Sequence, residues 1–510
     1  MLFKRFRRLS LRLFTTLLAA AALTLPAEAT WSIVVVDTAT GEVIVAGATC
    51  IPDFYLPGPI ACVAVGKGGG ASQSFVLHLA KGVMFTGFQA GKTSTEILAD
   101  VFAAGSNLPV RQFGIVSMNG SPETFTGAGC GNAALGVTGE VGTLRYAIQG
   151  NVLSQDEVVF AAEAALLNGK GDLAQRVMLA MEAATAKGGD GRCSCDLSPP
   201  CGQPEEFRHA SYTSFLIDAR LGDTDSATCT VTSNNCSNGD YYALISEIGN
   251  PNTPDPVGVL RRKFDFWRAS LQGRPDHYKT EVLQSAQLLR TGSADSVDVD
   301  ISLMDVNGRP LIVGGQTIQV SVADGPALTI SPVTDNGNGT HHFSVSGAAL
   351  VGTSQLRIVV QDGIRDVQLT PDVEISAESA GELFADHHTI SSGTGALVGF
   401  DIDSPGAPGA SYHLLGSASG TQPGVPFGNL QLPLNRDRFL SFTVNSPGSP
   451  NLPNSAGTLG PGGAAHAQFL PPAGFLADFV GGQLDFYVYE LGGQNTVERL
   501  TNRIALSVAP

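Results

Sequence analysis

The N-terminal half of the chain alternates between strand-like and helix-like hydrophobic patterns. Apolar runs at 33–36 and 43–46 flank a polar turn, and this arrangement predicts a β-hairpin. Thr93 with Glu96, and Ser154 with Glu157, have the spacing of capping boxes that begin helices. Apolar positions at helical spacing predict helices over about 93–104, 158–167, 172–186 and 256–271.

The helical pattern ends near residue 290, and a strand pattern replaces it. Val297, Val299 and Ile301 alternate with polar residues, and glycine-rich turns separate later runs of the same kind. This spacing predicts a β-sandwich over 294–377, followed by a second all-β domain over 380–510.

Composition agrees with this division and excludes one class of partner. No Cys follows Cys236 and no Lys follows Lys279, so residue usage changes near residue 280, and we expect an α+β domain over 30–280. The 510 residues include 61 Gly and 29 Pro, a turn-rich usage that suits β-rich domains. The net charge is −16, whereas nucleic acids and anionic membranes attract clustered Lys and Arg. We therefore expect no nucleic-acid partner.

The segment 1–29 has the pattern of an export signal. Basic residues between 4 and 12 precede an apolar stretch at 13–25, which is too short to span a bilayer comfortably. Ala27-Glu28-Ala29 then supplies the small residues at which a signal peptidase cleaves. No later stretch is long and apolar enough to span a membrane. We expect an exported protein that is periplasmic, at the cell surface or extracellular.

The 8 cysteines of an exported chain favour disulfides. Cys193, Cys195 and Cys201 form the cluster in which zinc is an alternative, with His209 as the nearby histidine. This cluster lacks the usual paired C-x2-C spacing, so we favour disulfides there as well. We interpret Asp386-His387-His388 as a solvated loop and not as a metal site.

Cleavage after Ala29 would make Thr30 the N-terminal residue. A free α-amine has a pKa of about 7.7–8.0, so it can act as a base near neutral pH. An N-terminal threonine therefore carries a hydroxyl nucleophile and its own base, which together suffice for attack on an amide carbonyl. Thr30 also begins a predicted strand, so a sheet would hold it rigidly.

The segment that begins at Thr30 resembles the opening of the DUF1028 family, which is of uncharacterised function and is assigned to the N-terminal-nucleophile hydrolase superfamily. Family members often begin Met-Thr-Phe-Ser, so that loss of Met exposes Thr, and signal cleavage would have the same result here. The resemblance covers about residues 30–272. It rests on TWSIVVVD at 30–37 with TGE at 40–42, ASQ at 71–73, Gly127 near Cys130, QGN at 149–151, GGD at 188–190 and DPV at 255–257.

The resemblance implies an αββα sandwich and a site in which Gln73, Asn151 and Asp190 accompany Thr30. Gln73 is a candidate oxyanion donor, although a polar residue that opens a helix is an equal alternative. Asn151 is a candidate donor or a loop anchor. Asp190 is a candidate for orienting the Thr30 amine, with a loop aspartate held by glycines as the alternative.

This sequence departs from the family in two respects. Cys-bearing stretches at about 192–206 and 222–239 resemble insertions. Proteasome-like members of the superfamily use a lysine that lowers the proton affinity of the nucleophile, and the predicted hairpin contains no Lys. Lys67 and Lys81 are the alternatives for that role.

The segments at 305–310, 335–339 and 359–363 resemble bacterial Ig-like domains of surface proteins. Those at 432–437 and 457–459 resemble a recurrent C-terminal β domain of exported bacterial proteins. Secreted β domains commonly serve attachment, so both regions are candidates for binding a cell-surface component.

Two functions are consistent with these observations. The first is an exported amide hydrolase that uses Thr30 as its nucleophile, needs no cofactor and acts on an extracellular amide. The alternative is a catalytically inactive secreted protein that binds a surface or matrix and keeps the N-terminal domain as a scaffold.

Overall fold

The computed structural model describes residues 30–194, 209–233, 235–378, 381–393, 397–427, 430–491 and 497–510. They form two compact units. The N-terminal unit contains residues up to 220 and 224–263, and the C-terminal unit contains 221–223 and 264–510. The predicted export segment at 1–29 lies outside the described residues. Among the residues in these ranges, no helix is both long enough and apolar enough to cross a membrane.

The first 270 residues contain mixed helices and strands. These elements are β1 (Thr30–Asp37), β2 (Glu42–Thr49), α1 (Pro57–Ile60), β3 (Ala61–Ala64), β4 (Gly68–Ser74), α2 (His78–Gln89), α3 (Ser94–Ala104), β5 (Arg111–Ser117), β6 (Glu123–Thr126), β7 (Leu135–Val141), β8 (Leu144–Asn151), α4 (Glu157–Asn168), α5 (Leu173–Ala186), β9 (Thr213–Ala219), β10 (Ala243–Ile248) and α6 (Pro256–Ser270). Strands β1 and β2 pair along their whole length and form the predicted hairpin.

Two antiparallel sheets stack face to face in the N-terminal unit. The first has the strand order β10-β9-β2-β1-β8-β7, and the second has the order β3-β4-β5-β6. Val34 and Val45 from the first sheet lie in one buried core with Val63 and Val116 from the second. Helices α4 and α5 pack on the other face of the first sheet, and α2 and α3 on the other face of the second. The layers are therefore helix, sheet, sheet, helix, which confirms the predicted αββα sandwich.

One of the two predicted capping boxes is confirmed. The Thr93 hydroxyl accepts from the backbone N–H of Glu96, whose carboxylate accepts from the Thr93 N–H at 2.8 Å, and α3 begins there. The prediction for Ser154 with Glu157 is wrong. The Ser154 hydroxyl donates to the Lys187 carbonyl at 2.8 Å, so a contact distant in sequence replaces the local cap.

The C-terminal unit consists mainly of strands. Its further elements are β11 (Glu281–Gln284), β12 (Leu288–Arg290), β13 (Ser296–Ser302), β14 (Thr317–Asp324), β15 (Thr329–Ile330), β16 (Thr334–Asp335), β17 (Thr340–Ser346), β18 (Gly352–Gln361), β19 (Asp366–Gln368), β20 (Val373–Glu378), β21 (Leu383–Ala385), β22 (Thr389–Ser391), β23 (Val398–Asp403), β24 (Ser411–Ser417), β25 (Val425–Phe427), β26 (Leu430–Leu432), α7 (Arg438–Asn445), β27 (Ala456–Thr458), β28 (Ala464–Phe469), β29 (Gln483–Leu491), β30 (Val497–Leu500) and β31 (Ile504–Ala509).

Each half of this unit has its own core between sheets. In the first half, β11-β13-β17-β15 faces β12-β20-β18-β14, and the alternating residues Val297, Val299 and Ile301 are buried between them. In the second half, β21-β23-β28 and β22-β31-β29-β24-β27 enclose an aromatic core that includes Phe400 and Phe486. The predicted α+β class, with a C-terminal region rich in β-sheet, is confirmed. The prediction that residues 380–510 are all-β is wrong in one respect, because Arg438–Asn445 form helix α7, which Asp437 caps by accepting from the N–H of Leu440.

Among its described residues, the N-terminal unit contains two disulfides. They join Cys50 to Cys193 and Cys229 to Cys236, while Cys62 and Cys130 are buried thiols. Because Cys193 is bonded to Cys50, the disulfide interpretation holds for this member of the cysteine cluster. The other two cysteines of this cluster, Cys195 and Cys201, lie outside the described residues.

Gly69 of β4 tests how closely the two sheets pack. A Cβ atom at this position would lie 3.0 Å from a methyl of Val43, 3.1 Å from one of Val45 and 3.2 Å from one of Val34. We expect Gly69→Ala to lower the free energy of unfolding by about 1–3 kcal/mol, because valines from two strands must move. Urea titrations followed by circular dichroism measure this change.

Gly258 in α6 is the matched control, since a Cβ there meets nothing within 4 Å. We expect Gly258→Ala to raise the free energy of unfolding by up to about 1 kcal/mol, because alanine favours a helix. A Gly69→Ala protein as stable as the wild type would contradict the close packing of the sheets.

Candidate active site

Thr30 lies at the end of the central strand of the first sheet. In the antiparallel register it stands opposite Thr49 of β2 on one side and Asn151 of β8 on the other. Its residue surface is 2% exposed. The sheet therefore fixes this residue from both sides, as expected from the sequence.

Two of the predicted site residues hold the backbone of Thr30. The Thr30 carbonyl accepts from Nε2 of Gln73 at 3.0 Å and from Nδ2 of Asn151 at 3.2 Å. Asn151 also donates to Oε1 of Gln112 at 3.0 Å, and these two bonds account for both of its amide protons. Gln73 lies within strand β4, so the alternative that it opens a helix is wrong.

Buried side-chain amides extend this contact between the two sheets. Gln73 donates to Gln112 at 2.8 Å and accepts from the Ser32 hydroxyl at 2.6 Å, which in turn accepts from Gln149 at 2.6 Å. All four residues are 0% exposed. Gln112 and Ser32 were not identified from the sequence. A signal was present, because each is a polar residue next to the apolar run of its strand, FGIV at 113–116 and IVVV at 33–36.

The Thr30 hydroxyl contacts a second polar group that sequence analysis did not identify. It donates to Oγ1 of Thr49 at 3.3 Å, and the same oxygen accepts from Nη2 of Arg192 at 3.2 Å. Arg192 is paired with Asp190, with 2.8 Å between Nη2 and Oδ2. Thr49 therefore links the hydroxyl of Thr30 to a guanidinium group.

Asp190 is one residue of the predicted site that does not contact Thr30 in any described bond. Its carboxylate accepts from the backbone N–H of Cys50 at 2.7 Å and from the backbone and side chain of Arg192. Burial raises the pKa of the Asp190 carboxyl, and the bonds from Arg192 and Cys50 oppose this shift. The geometry connects Asp190 to Thr30 through Arg192 and Thr49.

The loop before Asp190 requires its glycines. Gly188 and Gly189 have φ angles of 94° and 55°, in the region that favours glycine. A Cβ at Gly189 would lie 2.5 Å from the Ala210 carbonyl oxygen. Next to this close approach, Asp190 accepts from the backbone N–H of Cys50. The Cys50–Cys193 disulfide adds a covalent connection between the same two parts of the chain.

Backbone strain occurs directly after both residues that hold the Thr30 carbonyl. Ser74 follows Gln73 and has a φ of 65°, and Val152 follows Asn151 and has a φ of 50°. For non-glycine residues these conformations cost about 1–3 kcal/mol each and tend to occur at functional sites. Both strained residues directly follow the side chains that bond to the Thr30 carbonyl.

The Asp255-Pro256-Val257 motif is connected to the same loop through Ala210, whose carbonyl accepts from the N–H of Asp190. The Asp255 carboxylate accepts from the N–H of Val257 at 3.0 Å, at the start of α6, and from the N–H of Ala210 at 2.8 Å. Burial raises the pKa of this carboxyl. Between α6 and the glycine loop lies a cavity of about 420 Å³, which is lined by residues that include Gly188 and His209.

Neither candidate lysine has a described contact with Thr30. Lys67 donates to Gln89 at the surface. Lys81 of α2 is buried and donates to the carbonyl of Gly58, and burial lowers its pKa to about 8. Arg192 is the cation that approaches the Thr30 hydroxyl.

The described residues contain no group of three or more His, Cys, Asp and Glu side chains suited to a metal ion. In the Asp386-His387-His388 segment, His387 pairs with the neighbouring Asp386 at 2.6 Å, and Asp386 also accepts from the N–H of Gly399. This carboxylate therefore bonds to its neighbour His387 and to the backbone of β23.

Comparison with known proteins matches two regions of the chain. Residues 30–197 match the model of DUF1028, a family of unknown function, and residues 279–378 match the model of invasin domain 3. These matches confirm the resemblance predicted from Thr30 onwards and the one predicted for the first β domain. A comparison with curated protein sequences finds no match.

Similar solved structures come from both kinds of protein. A DUF1028 protein from Silicibacter pomeroyi has 16% identity and a TM-score of 0.35, with 47% of this chain and 88% of that chain covered. The adhesin InvE of Yersinia pseudotuberculosis has 16% identity and a TM-score of 0.18, with 45% and 58% covered. The adhesin FdeC of Escherichia coli has 13% identity and a TM-score of 0.19, with 58% and 74% covered.

The buried Lys81 makes a testable contribution to stability. Its pKa is about 8 in the folded protein against an ordinary value of 10.5. Between these values the unfolded chain binds more protons than the folded chain, so the free energy of unfolding rises with pH. Relative to Lys81→Met, we expect the wild type to gain up to about 3 kcal/mol between pH 7.5 and pH 10.5.

Urea titrations at several pH values, followed by circular dichroism, measure this gain. Lys92→Met is the matched control, because Lys92 is exposed and pairs with Asp100 at the surface. If the difference between wild type and Lys81→Met stays constant over this range, Lys81 has an ordinary pKa.

Proposed function

We propose that the N-terminal unit is an amide hydrolase whose nucleophile is the hydroxyl of Thr30, made N-terminal by removal of residues 1–29. The observation that carries the proposal is the way Thr30 is held. Its hydroxyl is bonded to Thr49, and its carbonyl accepts from Gln73 and Asn151. A nucleophile fixed at the end of a buried strand is pre-oriented for attack.

The new α-amine supplies the base. It takes the hydroxyl proton as Oγ1 of Thr30 attacks the amide carbonyl carbon, and it then returns that proton to the leaving nitrogen. The C–N bond breaks, the amine product leaves, and the acyl group remains as an ester on Thr30. Water then attacks the ester with the same base, which releases the carboxylic acid and restores the hydroxyl.

Gln73 and Asn151 are assigned to positioning in this scheme. Their amide protons are directed at the Thr30 carbonyl and at neighbouring acceptors. Oδ1 of Asn151 is buried and accepts no hydrogen bond from the described residues. An amine created on Thr30 would offer a donor next to it, since Asn151 already contacts the Thr30 carbonyl.

The proposal places the protein outside the reducing cytoplasm, at the surface or in an exported fraction. Support comes from the pattern of residues 1–29, from the two disulfides and from the invasin domain 3 match at 279–378. An amide that occurs outside the cell is therefore the proposed class of substrate.

A second candidate function rests on the invasin domain 3 match alone. The C-terminal unit would then attach the protein to a bacterial surface, whether or not Thr30 is a nucleophile. This function and hydrolysis are compatible within one chain.

The N-terminus and Thr30 variants test the hydrolase directly. We expect the exported protein to begin at Thr30 with a free amine, as measured by intact mass and N-terminal sequencing. On a panel of fluorogenic acyl amides, we expect Thr30→Ala to lower hydrolysis at least about a thousandfold, because the nucleophile is lost. Thr30→Ser should retain measurable turnover.

Thr138→Ala on β7 is the matched control, since this threonine is exposed and lies away from the end of β1. A mature chain that begins elsewhere, or one whose amine is blocked, would remove the base and contradict the mechanism. So would hydrolysis that Thr30→Ala leaves unchanged.

Surface attachment is tested with the full chain carrying Thr30→Ala, labelled with a fluorophore. We expect saturable binding to cells of the producing bacterium, because this variant leaves the C-terminal unit unchanged. Flow cytometry measures the binding, with unlabelled protein as competitor. Cells that retain no label above the level seen with excess competitor would rule out attachment.

A further inference from the structure

The two residues that link Thr30 to a positive charge each stand beside a cysteine of the same disulfide. Thr49 precedes Cys50, and Arg192 precedes Cys193. The disulfide spans 143 positions of sequence, so it is a covalent connection between the end of β2 and the glycine loop. It joins the parts of the chain that carry the Thr49–Arg192 contact.

Two hydrogen bonds limit the distance between the Arg192 guanidinium and the Thr30 hydroxyl. The distances from the Thr49 oxygen are 3.3 Å to Oγ1 of Thr30 and 3.2 Å to Nη2 of Arg192, which together place Nη2 within 6.5 Å of the Thr30 hydroxyl. The Arg192 side chain is 25% exposed, so its charge is only partly screened by water.

We infer that Arg192, held by Asp190 and by the Cys50–Cys193 disulfide, is a positioning residue that lowers the proton affinity of Thr30, so that the site is complete only when this disulfide has formed. The inference rests on the proposed function, because it concerns the amine and hydroxyl of a Thr30 that has become N-terminal.

The direction of the effect on the Thr30 amine and hydroxyl follows from the positive charge of Arg192. A positive group disfavours protonation of a nearby amine and favours an oxygen that is losing its proton. The amine must be unprotonated to act as a base, so a lower proton affinity extends activity toward lower pH.

Other titratable groups near Thr30 change how strongly Arg192 lowers the proton affinity of the Thr30 amine. Asp190 opposes it, but Arg192 and the Cys50 N–H occupy the carboxylate oxygens, and Arg192 is the member of the pair that contacts Thr49. Tyr212 lies close enough to Asp190 to be affected by its charge. Burial, and then the charge of Asp190, raise the pKa of its phenol, so it is neutral at the pH of interest.

The residues that stand directly opposite Thr30 on the two neighbouring strands carry no charge. Thr49 and Asn151 stand opposite it in the sheet, and Gln73 approaches from the second sheet. His209 contacts the ring of Tyr212 and bonds to the Thr253 carbonyl. Arg192 is thus the cation of the described site, and we expect its removal to raise the pKa of the Thr30 amine by roughly half a unit to one unit.

The disulfide contributes by holding the loop. Asp190 and Arg192 belong to a short segment that Gly188 and Gly189 make flexible in the unfolded chain, and closing it through Cys50 restricts its alternatives. We expect loss of the disulfide to release Arg192 and to have the same effect on the Thr30 amine as loss of the guanidinium.

The amine titration tests the inference without any substrate. A full chain that begins at Thr30, released from a cleavable fusion, is acetylated briefly with acetic anhydride over pH 6 to 10. Mass spectrometry of the N-terminal peptide then gives the pKa of the amine. The variants are Arg192→Met, Arg192→Lys, and Cys50→Ser combined with Cys193→Ser, with the dithiothreitol-reduced wild type beside them.

Arg145→Met is the matched control. Arg145 lies on β8 opposite Val36, at the far end of β1 from Thr30, and its loss changes the net charge by the same amount. We expect a raised amine pKa in Arg192→Met, in the double cysteine variant and in the reduced protein, with circular dichroism unchanged. Arg192→Lys should restore most of the wild-type value because it keeps the charge.

An Arg192→Met amine that titrates like the wild type would overturn the electrostatic role. A double cysteine variant that is folded and titrates like the wild type would overturn the role of the disulfide. Failure of the proposed function is visible separately, as an exported protein that does not begin at Thr30 or as turnover that survives Thr30→Ala.

Discussion

The pairing of β1 between β2 and β8 is the constraint on which the candidate site depends. It sets Thr30 opposite Thr49 and Asn151, and it directs Ser32, Val34 and Val36 toward the second sheet. A slip of one residue would turn this whole face, Thr30 included, toward the helices. The burial of Val34 and Val36 between the sheets opposes such a slip, so the hydrophobic core itself sets the register of the proposed nucleophile.

The same face changes from apolar to polar along its length. Its valines pack in a dry core, whereas Ser32 and Thr30 meet the side-chain amides of Gln73 and Gln149. Primary amides suit this place because each both donates and accepts, so a chain of bonds can cross between sheets without burying a charge. The charged pair of Asp190 and Arg192 is confined to the loop at the edge, where water still reaches the guanidinium.

Local structure could be predicted from the sequence, whereas contacts between distant parts of the chain could not. The hairpin, the Thr93 cap and the alternation of Val297, Val299 and Ile301 follow from neighbours in sequence, and the fold reproduces them. Arg192 reaches Thr49 across 143 positions, and no local pattern distinguishes it from a surface arginine. The Ser154 cap failed for the same reason, because Lys187, from another part of the chain, takes its hydroxyl.

The choice of arginine over lysine in this site has a physical basis. Arg192 donates to Oδ1 of Asp190 from Nε at 3.2 Å, and from Nη2 to Oδ2 of Asp190 at 2.8 Å and to Thr49 at 3.2 Å. The planar fork of a guanidinium fixes these directions together, whereas the ammonium of a lysine is a single point charge on a flexible stem. A lysine would keep the positive charge but not this geometry. The guanidinium therefore both carries the charge and holds it beside Thr49, next to the hydroxyl of Thr30.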